Sequence, residues 1–285
     1  MEPFTILMFC LAGILLCIGS YTDMKTREVP DYLTYGMIMI GIGLRFIYTI
    51  LTGHWQYFLE GLAGLAVFFG FASLLFYLGH WGGGDSKVLI AMGVLLGVNL
   101  ELFQPVVNFM INLVFAGAGY GLVWSIFTAL KKGKPFFVAF QKKLHEKQIL
   151  IWRMCALLLS IGLLAYTFFS DTPLAVILLA LILLASSYLV AFMKTIEEVC
   201  MLKSISAKKV TEGDWIAEPI KINKKIIVQT NKIGITKEQL QTLQKYVKQN
   251  KVKNVMIKEG MPFVPAFLIA LVMTIWIENI LFLFL

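Results

Sequence analysis

Cysteine is scarce in this chain, and what little there is excludes two chemistries. Only Cys10, Cys17, Cys155 and Cys200 occur in 285 residues. No two of them form a C-x-x-C pair, so neither a thiolate zinc site nor a disulfide framework is expected. They read as small apolar side chains. Charge is equally sparse, at 15% of residues. The first apolar segment lacks an A-x-A-like cleavage site with a polar stretch after it, so no removable signal peptide is expected. No internal repeat and no low-complexity tract is visible.

Apolar residues are abundant. They make up 59% of the chain, against about 45–50% in a soluble domain, and mean hydropathy is +0.79. Runs of membrane-spanning length recur, and about 20 apolar residues cross a bilayer as a helix. Unbroken runs of this kind do not suit a barrel. The expected fold class is therefore an all-α polytopic membrane protein of about eight transmembrane helices. They are expected over 4–22, 32–51, 57–79, 86–100, 106–130, 151–169, 174–193 and 262–285. The fourth is short, and "GVNLELFQP" reads as its outer end or as a re-entrant turn.

The net charge of +8 does not point to nucleic acid, because its distribution is a topology signal. Lys25 and Arg27 follow the first run. Lys131, Lys132, Lys134, Lys142, Lys143, Lys147 and Arg153 follow the fifth. Fourteen lysines lie between Lys194 and Lys258. The intervening connections "TGHWQ", "NLELFQP" and "SDTP" hold neither Lys nor Arg. The positive-inside rule then puts the N-terminus outside and every basic connection in the cytoplasm, where it attracts anionic lipid. Arg45, left over near the outer end of the second run, is expected to snorkel. Glu60 and Glu278 are expected to snorkel or to pair with it.

Three regions are expected: a membrane domain over 1–193, a cytoplasmic α/β insert over 194–260, and a last spanning helix over 261–285. Within the insert, "TKEQLQTLQKYVKQ" has helical spacing. Thr236 and Gln239 fit a capping box. "KKIIVQT" and "VKNVMIK" read as short strands, and "TEGDWIAEPI" as a turn followed by a strand. No catalytic constellation is visible there.

Two acids share one membrane face in this topology. Asp23 ends the first helix, and Asp85 opens the fourth after Gly82-Gly83-Gly84. Ionisable groups inside a helical bundle are costly and mark function. The glycines are expected to supply turn torsions that only glycine adopts cheaply and to let an extended peptide come close. A plain reading stands beside this one, in which Asp85 is an N-cap and Asp23 a solvated helix-end acid. Asp31 after Pro30 reads as the N-cap of the second helix. Helix dipoles would favour charge on Asp85 and a proton on Asp23, making Asp85 the base on water and Asp23 the acid. Lys87 reads as a structural partner of lipid phosphate or a helix end, or as a substrate contact. His80 reads as a boundary histidine rather than a ligand, and Trp81 as an interfacial anchor. No metal ligands and no cofactor are expected.

Both neighbourhoods resemble the type IV prepilin and preflagellin peptidases, membrane aspartic proteases with a GxGD motif. The pattern G-x-G-D-x-K appears as Gly82-Gly83-Gly84-Asp85-Ser86-Lys87, followed by "VLIAMGVLLG". The first-aspartate pattern appears as Asp23 with "PDYLT" from Pro30 to Thr34. The resemblance covers about residues 15–130. It implies removal of short charged leaders from pilin-like or archaellin-like precursors at the cytoplasmic face, with Asp23 and Asp85 as the catalytic pair. The paired C-x-x-C segment of bacterial members is absent, so no N-methylation is inferred, and this absence resembles archaeal members. Three other readings stay open: an ion-coupled transporter, a presenilin-like intramembrane protease, and a non-catalytic assembly protein.

Overall fold

A computed structural model describes residues 2–79, 81–99, 104–222, 225–231, 234–278 and 280. His80 and Leu100–Phe103, within the fourth connection, lie outside the described residues. Among the described residues, six helices are long and apolar enough to cross a membrane. The chain is a predominantly helical, multi-pass membrane protein.

The residues fall into two compact units. The first joins Met1–Leu122, Ser206–Val255 and Gly260–Leu285. Its helices are α1 (Pro3–Thr26), α2 (Asp31–Thr52), α3 (Gln56–Tyr77), α4 (Gly83–Leu96), the start of α5 (Gln104–Lys132) and α10 (Val264–Trp276). The second unit contains Val123–Ile205 and Met256–Glu259. It holds the rest of α5, with α6 (Lys134–Leu144), α7 (Lys147–Tyr166) and α8 (Pro173–Thr195).

Helix α4 is the core of the first unit. Val88, Leu89, Ala91, Met92, Val94 and Leu95 are all fully buried. Met8, Leu15 and Leu16 of α1 pack into the same cluster, as do Phe109 of α5 and Phe267 and Leu271 of α10. With 14 residues, α4 is only ~21 Å long, short of the ~30 Å hydrocarbon core. It crosses α3 at two glycines. A Cβ on Gly64 would overlap the Gly93 carbonyl, and one on Gly93 would stand 2.5 Å from the Gly64 carbonyl oxygen. Small residues at a crossing let two backbones meet where lipid supplies no hydrophobic drive.

The far end of α4 is held by Arg45. Expected to snorkel, it is instead 3% exposed. Its Nε donates to the Val94 carbonyl at 2.8 Å, one terminal nitrogen to Leu95 at 3.1 Å, and the other to Tyr57 at 2.9 Å. Glu60 lies 3.8 Å away, as the expected pairing has it. A short helix leaves its last carbonyls inside the apolar layer, and a planar guanidinium can serve several of them at once. At the Glu278 end, the carbonyl of Glu278 accepts from Asn112 Nδ2 at 2.9 Å.

Between α5 and α10 the first unit also contains β2 (Trp215–Ile216), β3 (Ile220–Ile222), β4 (Lys225–Val228) and α9 (Lys237–Lys248). β3 and β4 pair antiparallel. β1 (Leu202–Ser206) and β5 (Asn254–Lys258) are two further strands. Thr236 and Gln239 close the expected capping box at the start of α9. In the second unit, α6 is an amphipathic helix where the sequence reading saw only a basic connection. Phe136 and Phe140 stack in it, and both meet Phe192 of α8 edge-on. Lys143, on the same helix, pairs with Glu146 and Glu198.

Candidate active site

Asp23 lies inside α1. The helix runs a full turn past the expected end and closes at Arg27, whose left-handed backbone (φ 62°) lets its N–H return to the Asp23 carbonyl. The carboxylate is therefore fixed on a helical frame and is 6% exposed. Its Oδ2 accepts the backbone N–H of Val264 at 3.0 Å. This donor belongs to the first turn of α10, which has no side-chain cap of its own. Orphan N–H groups at a helix N-terminus need acceptors, and the positive end of the helix dipole favours an anion there. Asp23 is that acceptor, from the other end of the sequence.

Asp85 is in the first turn of α4, which begins at Gly83 with Gly82 as its N-cap. The plain reading expected Asp85 itself at the N-cap; the cap is Gly82, and Asp85 sits three residues later in the first turn, where the positive end of the helix dipole favours its charge. The same half-buried carboxylate also feels the charge of Asp23, so the fold brings the two acids into one electrostatic neighbourhood.

The glycines act otherwise than expected. Gly82 has φ −74°, and the left-handed residue before the motif is Gly79, with φ 75°. A Cβ on Gly82 or Gly84 would find its nearest neighbours at 3.7 Å, and one on Gly83 at 3.9 Å. Neither torsion nor crowding demands glycine here. The three residues leave bare backbone beside Asp85. At Gly84 the neighbour is Val29, in the link between α1 and α2, so the turn lies against the segment that follows Asp23.

Lys87 does not join the acids. It pairs with Asp31 and stands over the Tyr35 ring at 5.6 Å. Asp31 is the first residue of α2, with Pro30 at the N-cap position. Trp81 is half-buried against Phe263 at 5.8 Å and Phe267 at 5.4 Å, which gives it a packing role. Among the described residues, no group of three His, Cys, Asp or Glu side chains is placed to hold a metal.

Two contributors escaped the sequence reading. The Val264 donor is a backbone group, which carries no residue signature. Tyr120 of α5 lies within electrostatic reach of both Asp23 and Arg27. A tyrosine in an otherwise apolar helix was its one visible mark.

Residues 10–126 match the type IV leader peptidase family. A preflagellin peptidase of Methanococcus voltae is 36% identical over 81 residues, covering 28% of this chain and 34% of the relative. One from Methanocaldococcus jannaschii is 30% identical over 98 residues, covering 34% and 42%. One from Methanococcus maripaludis is 26% identical over 88 residues, covering 31% and 38%. The chain thus spans between 34% and 42% of the length of these relatives. No solved structure matches the chain. The matched stretch, residues 10–126, carries both aspartates and the glycine turn, and it is similar to the type IV leader peptidase family.

Proposed function

We propose that this protein is a membrane-embedded aspartic endopeptidase that removes short leader peptides from archaellin-like or pilin-like precursors, using Asp23 and Asp85 to activate water. The convergence of two acids from separate helices, beside bare glycine backbone, carries the reading. The three relatives are preflagellin peptidases, which favours an archaellin-like precursor. The basic connections support an orientation with the N-terminus outside and the site at the cytoplasmic face of the cell membrane.

Two close carboxylates share one proton, and the donors around each decide where it rests. Helix dipoles alone would leave the proton on Asp23, but the Val264 N–H bonded to Asp23 Oδ2 at 3.0 Å supports the reverse, because a donor to the charged form favours that form. Asp23 is accordingly the base that takes a proton from water. Asp85 is the acid that protonates the carbonyl oxygen of the scissile bond and then, by return of the proton, the leaving amine. The pair still titrates as a unit. The open Cβ positions of Gly82 to Gly84 suit an extended peptide lying against the turn.

The test is cleavage of an archaellin-like precursor in detergent, followed by mass. Wild type is expected to release the leader, and Asp23→Asn and Asp85→Asn to fall by at least about 10²-fold, the low end of general acid–base effects. Cleavage by both variants at the wild-type rate refutes the dyad. An ion-coupled transporter, the other reading with an acid at a helix break, would move solute and leave the precursor intact.

A further inference from the structure

Residues 261–276 lie far outside the matched region, yet they meet the site at four places. Val264 N–H binds Asp23 Oδ2 at 3.0 Å. On α1, a Cβ at Gly19, one turn before Asp23, would meet Val264 Cγ1 at 3.3 Å. Trp81, next to the glycine turn, packs on Phe263 and Phe267. On α5, a Cβ at Gly117 would come within 2.8 Å of the Phe263 ring. Val264, Ala266 and Phe267 are fully buried. The first turn of α10 is therefore wedged between the helix that carries one aspartate, the turn that carries the other, and α5.

We propose that this turn, Phe263–Val264, is a positioning element of the catalytic centre. Its Val264 N–H holds the Asp23 carboxylate in the orientation in which it faces Asp85. The inference rests on the dyad reading above and extends it to a part of the chain for which no relative's match supplies a role. A carboxylate on a single χ1–χ2 pair has rotational freedom, and a fixed donor removes it. Displacing a reacting group by about 1 Å can cost ~10²-fold in rate. The side chain of Val264 is a spacer in this account, and its N–H is the functional group.

The test separates the two. Val264→Pro deletes the donor at the first helical position, where proline is tolerated. Val264→Ala keeps the donor and trims the spacer. Cleavage kinetics should show kcat reduced at least tenfold in Val264→Pro with KM within twofold, while Val264→Ala stays within threefold of wild type. Equal losses in the two variants, or an unchanged kcat in Val264→Pro, overturn the proposal.

A second pair covers misfolding of the proline variant. Gly19→Ala pushes on Val264 Cγ1 and should lower kcat several-fold. Gly19→Ala with Val264→Ala removes the pushed atom and should restore it, whereas additive losses count against positioning. A readout without catalysis keeps this inference apart from the function it rests on. In an Asp85→Asn background, the infrared carboxylate band assigned to Asp23 by its difference from Asp23→Asn should shift in Val264→Pro and stay in Val264→Ala. A band that does not move overturns the positioning role even if no precursor is ever cut. A band that shifts in a protein that cuts nothing leaves the positioning intact and refutes the peptidase reading.

Discussion

Removing the guanidinium at the far end of α4 is the sharpest test of how the first unit is held together. Arg45 lies in an apolar layer with three carbonyl acceptors at 2.8, 2.9 and 3.1 Å and one carboxylate at 3.8 Å. Arg45→Met removes the cation and leaves all four acceptors in place. A buried hydrogen bond to a charged group contributes ~1.5–3 kcal/mol, but the three share the burial cost of one cation, so they do not simply add. Breaking a buried charged pair from one side costs ~3–5 kcal/mol, and we expect a loss in that range. A snorkelling arginine would instead contribute less than about 1 kcal/mol, so the two descriptions are well separated. Arg45→Lys should fall between, because a compact ammonium cannot reach three carbonyls held in the plane of a guanidinium. The assay is reversible unfolding in mixed micelles, with sodium dodecyl sulfate titrated in and helix content followed. A loss below about 1 kcal/mol for Arg45→Met would refute the clamp.

Two further substitutions are informative. Gly93→Ala puts a Cβ 2.5 Å from the Gly64 carbonyl oxygen and 2.6 Å from Phe68 Cβ, so it should destabilise by about 3 kcal/mol, the upper end of overpacking effects. Gly36→Ala meets nothing within 4 Å and should be neutral or stabilising by up to about 1 kcal/mol; the same unfolding titration reads both, and equal effects would remove the crossing argument. Lys87→Met breaks a pair whose side chains are 32% and 63% exposed. It should change stability by less than about 1 kcal/mol, and a loss beyond about 2 kcal/mol would mean that the pair is coupled to buried structure.

Much of this architecture was legible because its signals are local. Apolar runs located the long helices, and Thr236 with Gln239 located the start of α9 from a pattern four residues wide. The ends of helices near the acids were misplaced by a turn. Polar residues such as Thr22, Asp23 and Thr26 looked like a terminus, but the side chains of Thr22 and Thr26 bond back to the carbonyls of Gly19 and Thr22, and the helix continues. Arg45 was misread because its partners are carbonyls, present at every position and marked at none. The same holds for Val264. Amphipathic α6 was hidden in a stretch whose lysines drew attention away from Phe136 and Phe140. The aspartates themselves were visible as costly charges in an apolar chain. What surrounds and orients them was not, since it comes from backbone brought in over long sequence distances.

The bond from Val264 to Asp23 joins positions 241 residues apart, and that distance is also an interval of time. At the usual ~5–20 residues per second of synthesis, a growing chain exposes Asp23 roughly 10–50 s before residue 264 exists. Later in that interval Asp85 and the glycine turn are also made, while the group that orients Asp23 is not. On the peptidase reading proposed above, a nascent chain at that stage is an unfinished catalyst, and completion of its last helix sets the moment at which it could act.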